Sequence, residues 1–243
     1  MLTGKKGIVT GGGRGIGRET ALVMARNGAD LIVCSRNESE LNETAKLSEG
    51  GGFAGSIEPF VCDISNEEDV KRIASHAGER FGSVDILVNN AGMFSSGKME
   101  SLETEKMRKA IEVNCIGMFV TCREIFPLMK EKGGSIINVS SLSGVRGVEK
   151  FPGFGPYIIS KFGVIGLTEA LAVEWKNYGI RVNAIAPGAV ETEMLRAAAP
   201  DLEPVLSPKQ VADTILFLAS PASSGLNGST IDIFSSLLKE PRE

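Results

Sequence analysis

Short runs of β-branched and other apolar residues alternate along the chain with longer segments of mixed polarity. The short runs predict strands at 7–10, 30–34, 58–62, 85–88, 135–139, 180–185 and 229–233. The longer segments predict helices at 15–27, 38–48, 67–81, 103–130, 157–177 and 208–219. Nearly all-apolar strands that alternate with helices indicate a parallel sheet covered on both faces. We therefore expect an α/β fold: a doubly wound, mostly parallel seven-stranded sheet in three αβα layers, with ligands bound beyond the carboxyl ends of the strands.

Composition narrows the classes of function. The 243 residues contain no break in composition and no polar linker, so we expect one domain spanning 1–243. The net charge of −4 provides no basic surface for nucleic acid. No apolar run is expected to span a membrane, and the segment 1–5 is not typical of a signal peptide. These features predict no nucleic-acid or membrane partner and a cytoplasmic location.

The metal-ligating residue types are few and scattered. Cys34, Cys62, Cys115 and Cys122 have no CxxC spacing, which favours free thiols in a reducing compartment. His76 is the single histidine and lies in a polar helical segment, so we expect it at the surface. A metal site and a Ser-His-Asp triad are therefore not expected.

The segment TGGGRGIG, from Thr10 to Gly17, lies at the junction of the first predicted strand and helix. Its glycines follow the spacing Gly11-x-x-x-Gly15-x-Gly17. Glycine adopts positive φ and allows a ligand to approach the backbone. The amino terminus of a helix offers unpaired N–H groups and a positive dipole end. This loop therefore predicts a site for a pyrophosphate.

Together with later motifs in the same order, this loop resembles the short-chain dehydrogenase/reductase family in its compact, single-domain branch. The resemblance runs from about Lys5 to Ile233, and within the family it is greatest to the 3-oxoacyl-carrier-protein reductases. The later motifs are Asp63 after the third strand, the NNAG sequence of 89–92, Asn114, Ser141, the YxxxK sequence of 157–161, Pro187-Gly188 and Thr192. The resemblance implies a Rossmann fold, a nicotinamide dinucleotide, hydride transfer between a carbonyl compound and a secondary alcohol, and a homo-oligomer (tetramer or dimer) formed through the helices near 103–130 and 157–177.

The resemblance also implies which residues bind the dinucleotide. They are Thr10, Gly11, Arg14, Gly15, Ile16, Gly17, Ser35, Arg36, Asp63, Ile64, Asn90, Ala91, Gly92, Tyr157, Lys161, Pro187, Gly188, Val190 and Thr192. The second strand ends in Cys34-Ser35-Arg36-Asn37, without the acid that would bind the ribose hydroxyls of NAD. Because a guanidinium matches a phosphate in shape and charge, Arg36 and Arg14 favour the 2′-phosphate of NADP(H).

Tyr157 and Lys161 are four residues apart in a predicted helix and so share one face. A neighbouring ammonium lowers the pKa of a phenol, which would suit Tyr157 to proton transfer. By resemblance, Ser141 binds the substrate oxygen, Lys161 also holds the nicotinamide ribose, and Asn114 holds a water on the proton path. The catalytic residues are thus predicted to be Asn114, Ser141, Tyr157 and Lys161.

The substrate half departs from the family pattern. Sixteen residues separate Ser141 from Tyr157, where thirteen is more usual, and Ser140 and Ser143 remain alternatives for the serine. Substrate loops are expected near 142–156 and 189–207; the second contains an unusually short lid. After Asp232, where the family often has paired glycines, this chain continues as Ile233-Phe234-Ser235-Ser236.

The predicted substrate is a medium-sized 3-oxoacyl thioester or a similar apolar ketone, from the apolar residues Val148, Phe151, Phe154 and Met194. Lys132 is the expected basic contact for an acidic carrier protein. The alternatives are a sugar or polyol dehydrogenase of the same fold and a non-catalytic nucleotide-sensing protein.

Overall fold

A computed structural model describes residues 1–234, and seven parallel strands form one sheet at its centre. The strands are β1 (Lys6–Thr10), β2 (Asp30–Ser35), β3 (Ile57–Val61), β4 (Ile86–Asn89), β5 (Gly134–Val139), β6 (Ile180–Pro187) and β7 (Thr230–Ile233). Their order across the sheet is β3-β2-β1-β4-β5-β6-β7. The direction of sheet growth reverses between β1 and β4, and a crevice opens beyond their carboxyl ends. The predicted doubly wound Rossmann fold is confirmed.

Helices cover both faces of the sheet. They are α1 (Gly15–Arg26), α2 (Glu38–Gly50), α3 (Glu67–Phe81), α4 (Thr104–Ile111), α5 (Gly117–Met129), α6 (Gly155–Trp175), α7 (Glu193–Ala198) and α8 (Pro208–Ala219). The amide oxygen of Asn66 accepts the N–H groups of Glu68 and Asp69 at the start of α3. Ser207 and Gln210 form a capping box at the start of α8. These caps explain why both helices begin where the sequence predicts.

The inner strands of the sheet bury both of their faces. Successive side chains of a strand point to opposite sides of the sheet. Val9 packs in a buried cluster beneath α1, α2 and α8, whereas its neighbour Ile8 packs in a second cluster beneath α3, α5 and α6. Because these strands are buried on both faces, their sequences are continuous apolar runs. Helices on both sides of the sheet complete the three layers.

The prediction of one continuous helix over 103–130 is wrong in its middle. A π-helical turn, Glu112–Ile116, separates α4 from α5. Such turns hold an extra residue within one helical turn and are frequent at functional sites. This one contains the fully buried Asn114. The apolar periodicity on either side is unchanged, so the sequence pattern does not reveal the interruption.

Helix α6 corrects the expectation that no segment reaches membrane-spanning length. The segment Gly155–Tyr178 has 24 residues and a mean hydropathy of 1.3 over its most apolar window. Its inner face includes Lys161 and Thr168, both buried, and packs against β6. One face of this long apolar helix is therefore buried against the sheet. At the other end of the described chain, Ser235 and Ser236 of the unusual carboxyl-terminal sequence lie outside the described residues.

Candidate active site

The glycine loop turns sharply between β1 and α1. Gly11 and Gly15 have φ values of +68° and +56°, a region that favours glycine. A Cβ on Gly17 would overlap the carbonyl oxygen of Gly11, and one on Gly12 would overlap Val33. Two of the glycines therefore allow the positive φ of the turn, and two others allow the loop to pack closely against its neighbours. Their spacing leaves the loop backbone open toward the crevice.

A second loop, Asn90–Gly92, is fastened to the glycine loop. The buried hydroxyl of Thr10 accepts the N–H groups of Asn90 and Ala91 at 3.1 and 3.0 Å. The side-chain amide of Asn90 donates to the carbonyl oxygens of Thr10 and Gly11, both at 3.0 Å. Both side chains are thus engaged in joining the two loops that border the crevice.

The crevice is a cleft of about 780 Å³ beyond the carboxyl ends of β1, β2 and β4. Twelve of the residues predicted to bind the dinucleotide line it: Gly11, Arg14, Gly15, Ile16, Ser35, Arg36, Asp63, Ile64, Asn90, Ala91, Gly92 and Thr192. The predicted residues outside its lining are Thr10, Gly17, Tyr157, Lys161, Pro187, Gly188 and Val190. Thr10 and Val190 are buried in the fold, whereas Lys161 lies near Gly92, at one end of the cleft.

The charged residues of the cleft form ion pairs across it. Arg14 contacts Glu193 of α7 at 2.6 Å and Glu40 of α2 at 3.5 Å. Arg36 lies 3.9 Å from Asp63, and 75% of its side chain is exposed. Both arginines are therefore at the cleft surface with their charge partly balanced by carboxylates.

The carboxyl of Asp63 is held in its ionised form. Burial raises its pKa, but hydrogen bonds from the N–H and hydroxyl of Ser65 lower it, as do the charges of Arg36 and Lys109. The net effect is a lowered pKa. Lys109 also lines the cleft and was not identified from the sequence. Lys109 lies on α4, far along the chain from the glycine loop, so the sequence does not show that it borders the same cleft.

Tyr157, Ser141 and Lys161 lie together beyond β5. Burial raises the pKa of the Tyr157 phenol, and a hydrogen bond with Ser141 opposes that rise. The ammonium of Lys161 donates to the carbonyl oxygen of Val139 at 2.9 Å and lies 5.7 Å from the centre of the Tyr157 ring. The expectation that Lys161 lowers the pKa of Tyr157 is therefore not met: burial dominates and the net direction is upward.

Lys161 itself is strongly affected by its surroundings. Only 4% of the residue is exposed, and burial lowers its pKa to about 8; the Cys115 thiol acts weakly in the opposite direction. Strong perturbation of an ammonium beside a half-buried phenol at the end of a cleft is typical of a functional site.

Asn114 is engaged on every side of its amide. Its oxygen accepts the Met93 N–H at 2.7 Å, and its nitrogen donates to the Met93 carbonyl and to the Ser160 hydroxyl, both at 2.9 Å. Both amide hydrogens are thereby used. The side chain links the π-helical turn, the loop after β4 and helix α6, which fixes the position of the Tyr157–Lys161 face.

These features agree with comparisons to known proteins. A family model described as short chain dehydrogenase matches residues 5–203. The chain belongs to the short-chain dehydrogenase/reductase family. It is 36% identical to a 3-oxoacyl-[acyl-carrier-protein] reductase of Thermotoga maritima, over 98% of this chain and 99% of that protein. It is 37% identical to a 2,5-dichloro-2,5-cyclohexadiene-1,4-diol dehydrogenase of Sphingobium indicum, over 95% of each. The crystal structure of levodione reductase has a TM-score of 0.90 at 30% identity, over 97% of this chain and 98% of that one.

Members of the short-chain dehydrogenase/reductase family bind either NADP or NAD. An actinorhodin polyketide ketoreductase was solved with NADPH, and carveol dehydrogenase from Mycobacterium avium with NAD. Each is 29% identical to this chain with a TM-score of 0.87; the alignments cover 96% of this chain and 96–97% of the other. The chain is therefore an oxidoreductase that acts on CH–OH groups with a nicotinamide dinucleotide.

The three candidate serines of this short-chain dehydrogenase differ in their contacts. Ser140 is buried, and its hydroxyl donates to the Lys161 carbonyl at 2.9 Å. Ser141 lies beside Tyr157, and its hydroxyl accepts the Ser143 N–H at 3.1 Å. Of the three, Ser141 is the one with its hydroxyl beside the phenol.

The longer loop before Tyr157 is tied down in this short-chain dehydrogenase. The ammonium of Lys150 donates to the carbonyl oxygens of Leu142 and Val145 at 2.9 and 2.5 Å. The Gly97 N–H donates to the Gly153 carbonyl at 2.8 Å. The sequence identified the extra length but not Lys150 as its anchor, because both of its acceptors are backbone carbonyls.

The lid of the short-chain dehydrogenase contains the six-residue helix α7, capped by the Thr192 hydroxyl, which accepts the Leu195 N–H. Val190 and Leu206 close its base through an isolated parallel bridge. Met194 of α7 lines the cleft. The lid is thus short but ordered at both ends by backbone contacts.

Lys132 lies at the wrong edge of the sheet to contact a substrate in this cleft. It precedes β5, whose carboxyl end leads to Ser141, so it occupies the opposite, amino-terminal edge. Its ammonium donates to the Ser83 hydroxyl at 3.0 Å. The expectation of a basic contact beside the cleft is therefore wrong for Lys132 within one chain.

His76 is less exposed than expected. It is half-buried, contacts Glu58 at 2.6 Å and packs on the ring of Phe60.

All four cysteines are free thiols; Cys34 and Cys62 line the cleft. Within residues 1–234 no three His, Cys, Asp or Glu side chains group as metal ligands.

Proposed function

We propose that this protein is an NADP(H)-dependent oxidoreductase that interconverts an apolar ketone and its secondary alcohol. One observation carries the proposal: the phenol of Tyr157, which lies beside Ser141 and is flanked by Lys161, lies at the end of a dinucleotide-sized cleft that carries Arg14 and Arg36. We further propose that residues 1–243 act as one dinucleotide-binding domain in the cytoplasm.

NADP(H) fits the charges of the cleft better than NAD(H). Ser35 ends β2 and Arg36 follows it, and no acid occupies the position that would bind the ribose 2′-hydroxyl. Arg36, Arg14 and Lys109 all line the cleft and give it three positive charges. Glu40 and Glu193 oppose the preference because each pairs with Arg14. A bound 2′-phosphate would compete with these carboxylates for the guanidinium.

The remaining predicted contacts would hold the other parts of the dinucleotide. We assign Gly11, Gly15, Ile16 and Gly17 to the pyrophosphate, and Asp63 and Ile64 to the adenine. Asn90, Ala91 and Gly92 would lie beside the riboses, with Lys161 next to Gly92. Pro187, Gly188, Val190 and Thr192 line the path from β6 to the lid.

When bound, NADPH supplies the hydride for the carbonyl carbon. Ser141 donates a hydrogen bond to the carbonyl oxygen, and Tyr157 transfers its proton to that oxygen as charge develops there. The raised pKa of Tyr157 keeps the phenol protonated at neutral pH, which suits reduction. Oxidation of the alcohol needs the phenolate and is therefore favoured at higher pH. Asn114 orders the helix that carries both groups and, by family resemblance, the water behind Lys161.

A homo-oligomer through α5 and α6 is part of the proposal. Phe119 of α5 and Ile159, Phe162 and Val173 of α6 are large apolar side chains exposed to solvent, as is Ile116 in the π-helical turn just before α5. Exposed apolar surface of this kind is typical of an interface between subunits. Sedimentation at several concentrations distinguishes a tetramer or dimer from a monomer.

A 3-oxoacyl-carrier-protein reductase is the second candidate. Relatives of that name are 36% and 33% identical to this chain. The place of Lys132 away from the cleft weighs against docking of an acidic carrier protein on the same chain. A free 3-oxoacyl thioester still fits the class of apolar ketones. A sugar or polyol dehydrogenase fits the apolar loops poorly, and a nucleotide sensor would have no need of the Tyr157–Lys161 pair.

The test follows oxidation of NADPH and NADH with an acetoacetyl thioester and apolar ketones. In the opposite direction it follows reduction of NADP+ and NAD+ with glucose and a small polyol. We expect ketone reduction with higher kcat/KM for NADPH and little or no sugar oxidation. Tyr157→Phe should lose turnover by about 10²–10⁴-fold while it retains cofactor binding. Equal rates with both cofactors would refute the NADP preference, and half-retained activity in Tyr157→Phe would refute the assigned proton donor.

A further inference from the structure

Three phenylalanine rings lie in a chain that leads to the catalytic tyrosine. The rings of Phe94 and Phe154 meet edge to face with centroids 4.7 Å apart. Phe94 also lies 5.3 Å from the Tyr157 ring, and Phe151 lies 5.4 Å from Phe154. These separations are within the range of favourable aromatic pairs.

These three rings do not form part of the hydrophobic core of the protein. None of the three phenylalanines belongs to either buried cluster that stabilises the sheet. Phe94 and Phe154 are half-buried, and 50% of Phe151 is exposed. Apolar rings that remain partly open beside a reacting group leave surface for a ligand to cover.

The two loops that carry the rings are held together. Phe94 follows the NNAG segment, and Phe154 ends the longer loop before Tyr157. The bond from the Gly97 N–H to the Gly153 carbonyl joins these loops. Lys150 fastens the same loop to the carbonyl oxygens of Leu142 and Val145, just after the serine. The rings are therefore positioned before any substrate binds, which reduces the ordering that binding requires.

We propose that Phe94 and Phe154 form a wall that selects cyclic ketones, and the corresponding cyclic alcohols, over linear ketones of equal size; this rests on the proposed function. A carbonyl oxygen placed at Tyr157 and Ser141 brings the rest of the substrate beside the Phe94 ring. A cyclic substrate covers the exposed aromatic surface without the torsions that a linear chain must order. Met194 of the lid supplies an apolar contact on the cleft side.

The test compares cyclohexanone with 3-hexanone, which have the same number of carbons, and adds a bicyclic aromatic ketone. We expect kcat/KM with NADPH to be higher for the cyclic ketones, mainly through a lower KM. Phe94→Leu and Phe154→Leu keep an apolar side chain and remove the flat ring. Each should reduce the ratio of cyclic to linear kcat/KM by about 3- to 10-fold.

Phe81→Leu is the matched control. Phe81 ends α3 at the amino-terminal edge of the sheet, where it packs under Lys6 and Arg80. This variant should leave the ratio unchanged. An unchanged ratio in both wall variants, or a wild-type preference for 3-hexanone, would overturn the proposal.

A binding measurement separates failure of the wall from failure of the proposed function. Calorimetric titration of Tyr157→Phe in complex with NADPH measures ketone affinity without turnover. Tighter binding of the cyclic ketone with no turnover by the wild type would support the wall and contradict the proposed reaction. Turnover by the wild type with equal binding of both ketones would support the reaction and contradict the wall.

Discussion

Removal of the buried ammonium of Lys161 should change how the stability of the protein depends on pH. Burial lowers the pKa of Lys161 to about 8 in the folded protein, whereas an unfolded lysine titrates near ~10.4. Between these values the unfolded chain holds a proton that the native protein has released. The free energy of unfolding therefore rises with pH across this window because of this residue. Below pH 8, the buried charge lowers stability.

The magnitude follows from the size of the shift. A difference of about 2.4 pKa units changes the free energy of unfolding by about 3 kcal/mol over the whole titration. About 2.5 kcal/mol of this change falls between pH 7 and pH 10. Lys161→Met removes this dependence. The variant also loses the hydrogen bond to the Val139 carbonyl. Because its donor is the ammonium, the part of that loss that depends on protonation is already contained in the pKa of Lys161. The rest of the substitution changes stability by an amount that does not vary with pH. The change in slope is therefore the diagnostic quantity.

The assay is urea unfolding of two matched proteins without cofactor at pH 7, 8, 9 and 10. Tyr157→Phe is compared with Tyr157→Phe/Lys161→Met, so that titration of the phenol affects neither protein. The difference in unfolding free energy between them should shift by about 2.5 kcal/mol in favour of the lysine-containing protein as pH rises. A difference that stays constant from pH 7 to pH 10 would refute the lowered pKa and the burial that causes it.

Three further sets of substitutions test the site. Arg36→Gln should lower kcat/KM for NADPH about tenfold and leave kcat/KM for NADH nearly unchanged, since an exposed charge pair contributes about 1 kcal/mol or slightly more. Arg36→Asp should shift the cofactor preference toward NADH. An unchanged ratio of the two kcat/KM values in both variants would contradict the 2′-phosphate contact. Ser141→Ala should lower kcat by about 10²-fold, more than Ser140→Ala or Ser143→Ala; a larger loss in Ser143→Ala would reassign the serine. Gly17→Ala should destabilise the fold by about 1–3 kcal/mol in thermal unfolding, because its Cβ overlaps the glycine loop; native stability would show that the loop can move aside.

Much of the architecture could be inferred from local signals. The apolar runs placed all seven strands within a residue or two, because strands buried on both faces must be apolar throughout. Asn66 and Ser207 marked helix starts through caps that involve only neighbouring residues. The glycine spacing indicated the loop, and the interval from Tyr157 to Lys161 placed both on one helical face.

The relations between distant segments needed the tertiary structure. The approach of Phe94 to Phe154 depends on how two loops meet across the site, and no periodicity records it. Lys132 was expected from its place in the sequence to contact an acidic carrier protein, yet it lies at the edge of the sheet opposite the cleft. The π-helical turn around Asn114 left the flanking helical pattern intact.

The contrast is sharpest for the tyrosine and lysine. The sequence by itself determined that Tyr157 and Lys161 are neighbours, because an interval of four residues is one turn of a helix. Only the tertiary structure decided their electrostatics: the sheet, the serine loop and the π-helical turn enclose the pair and raise the pKa of the phenol while they lower that of the ammonium. Helical proximity depends on backbone geometry within one turn, whereas desolvation depends on every segment that packs around the group.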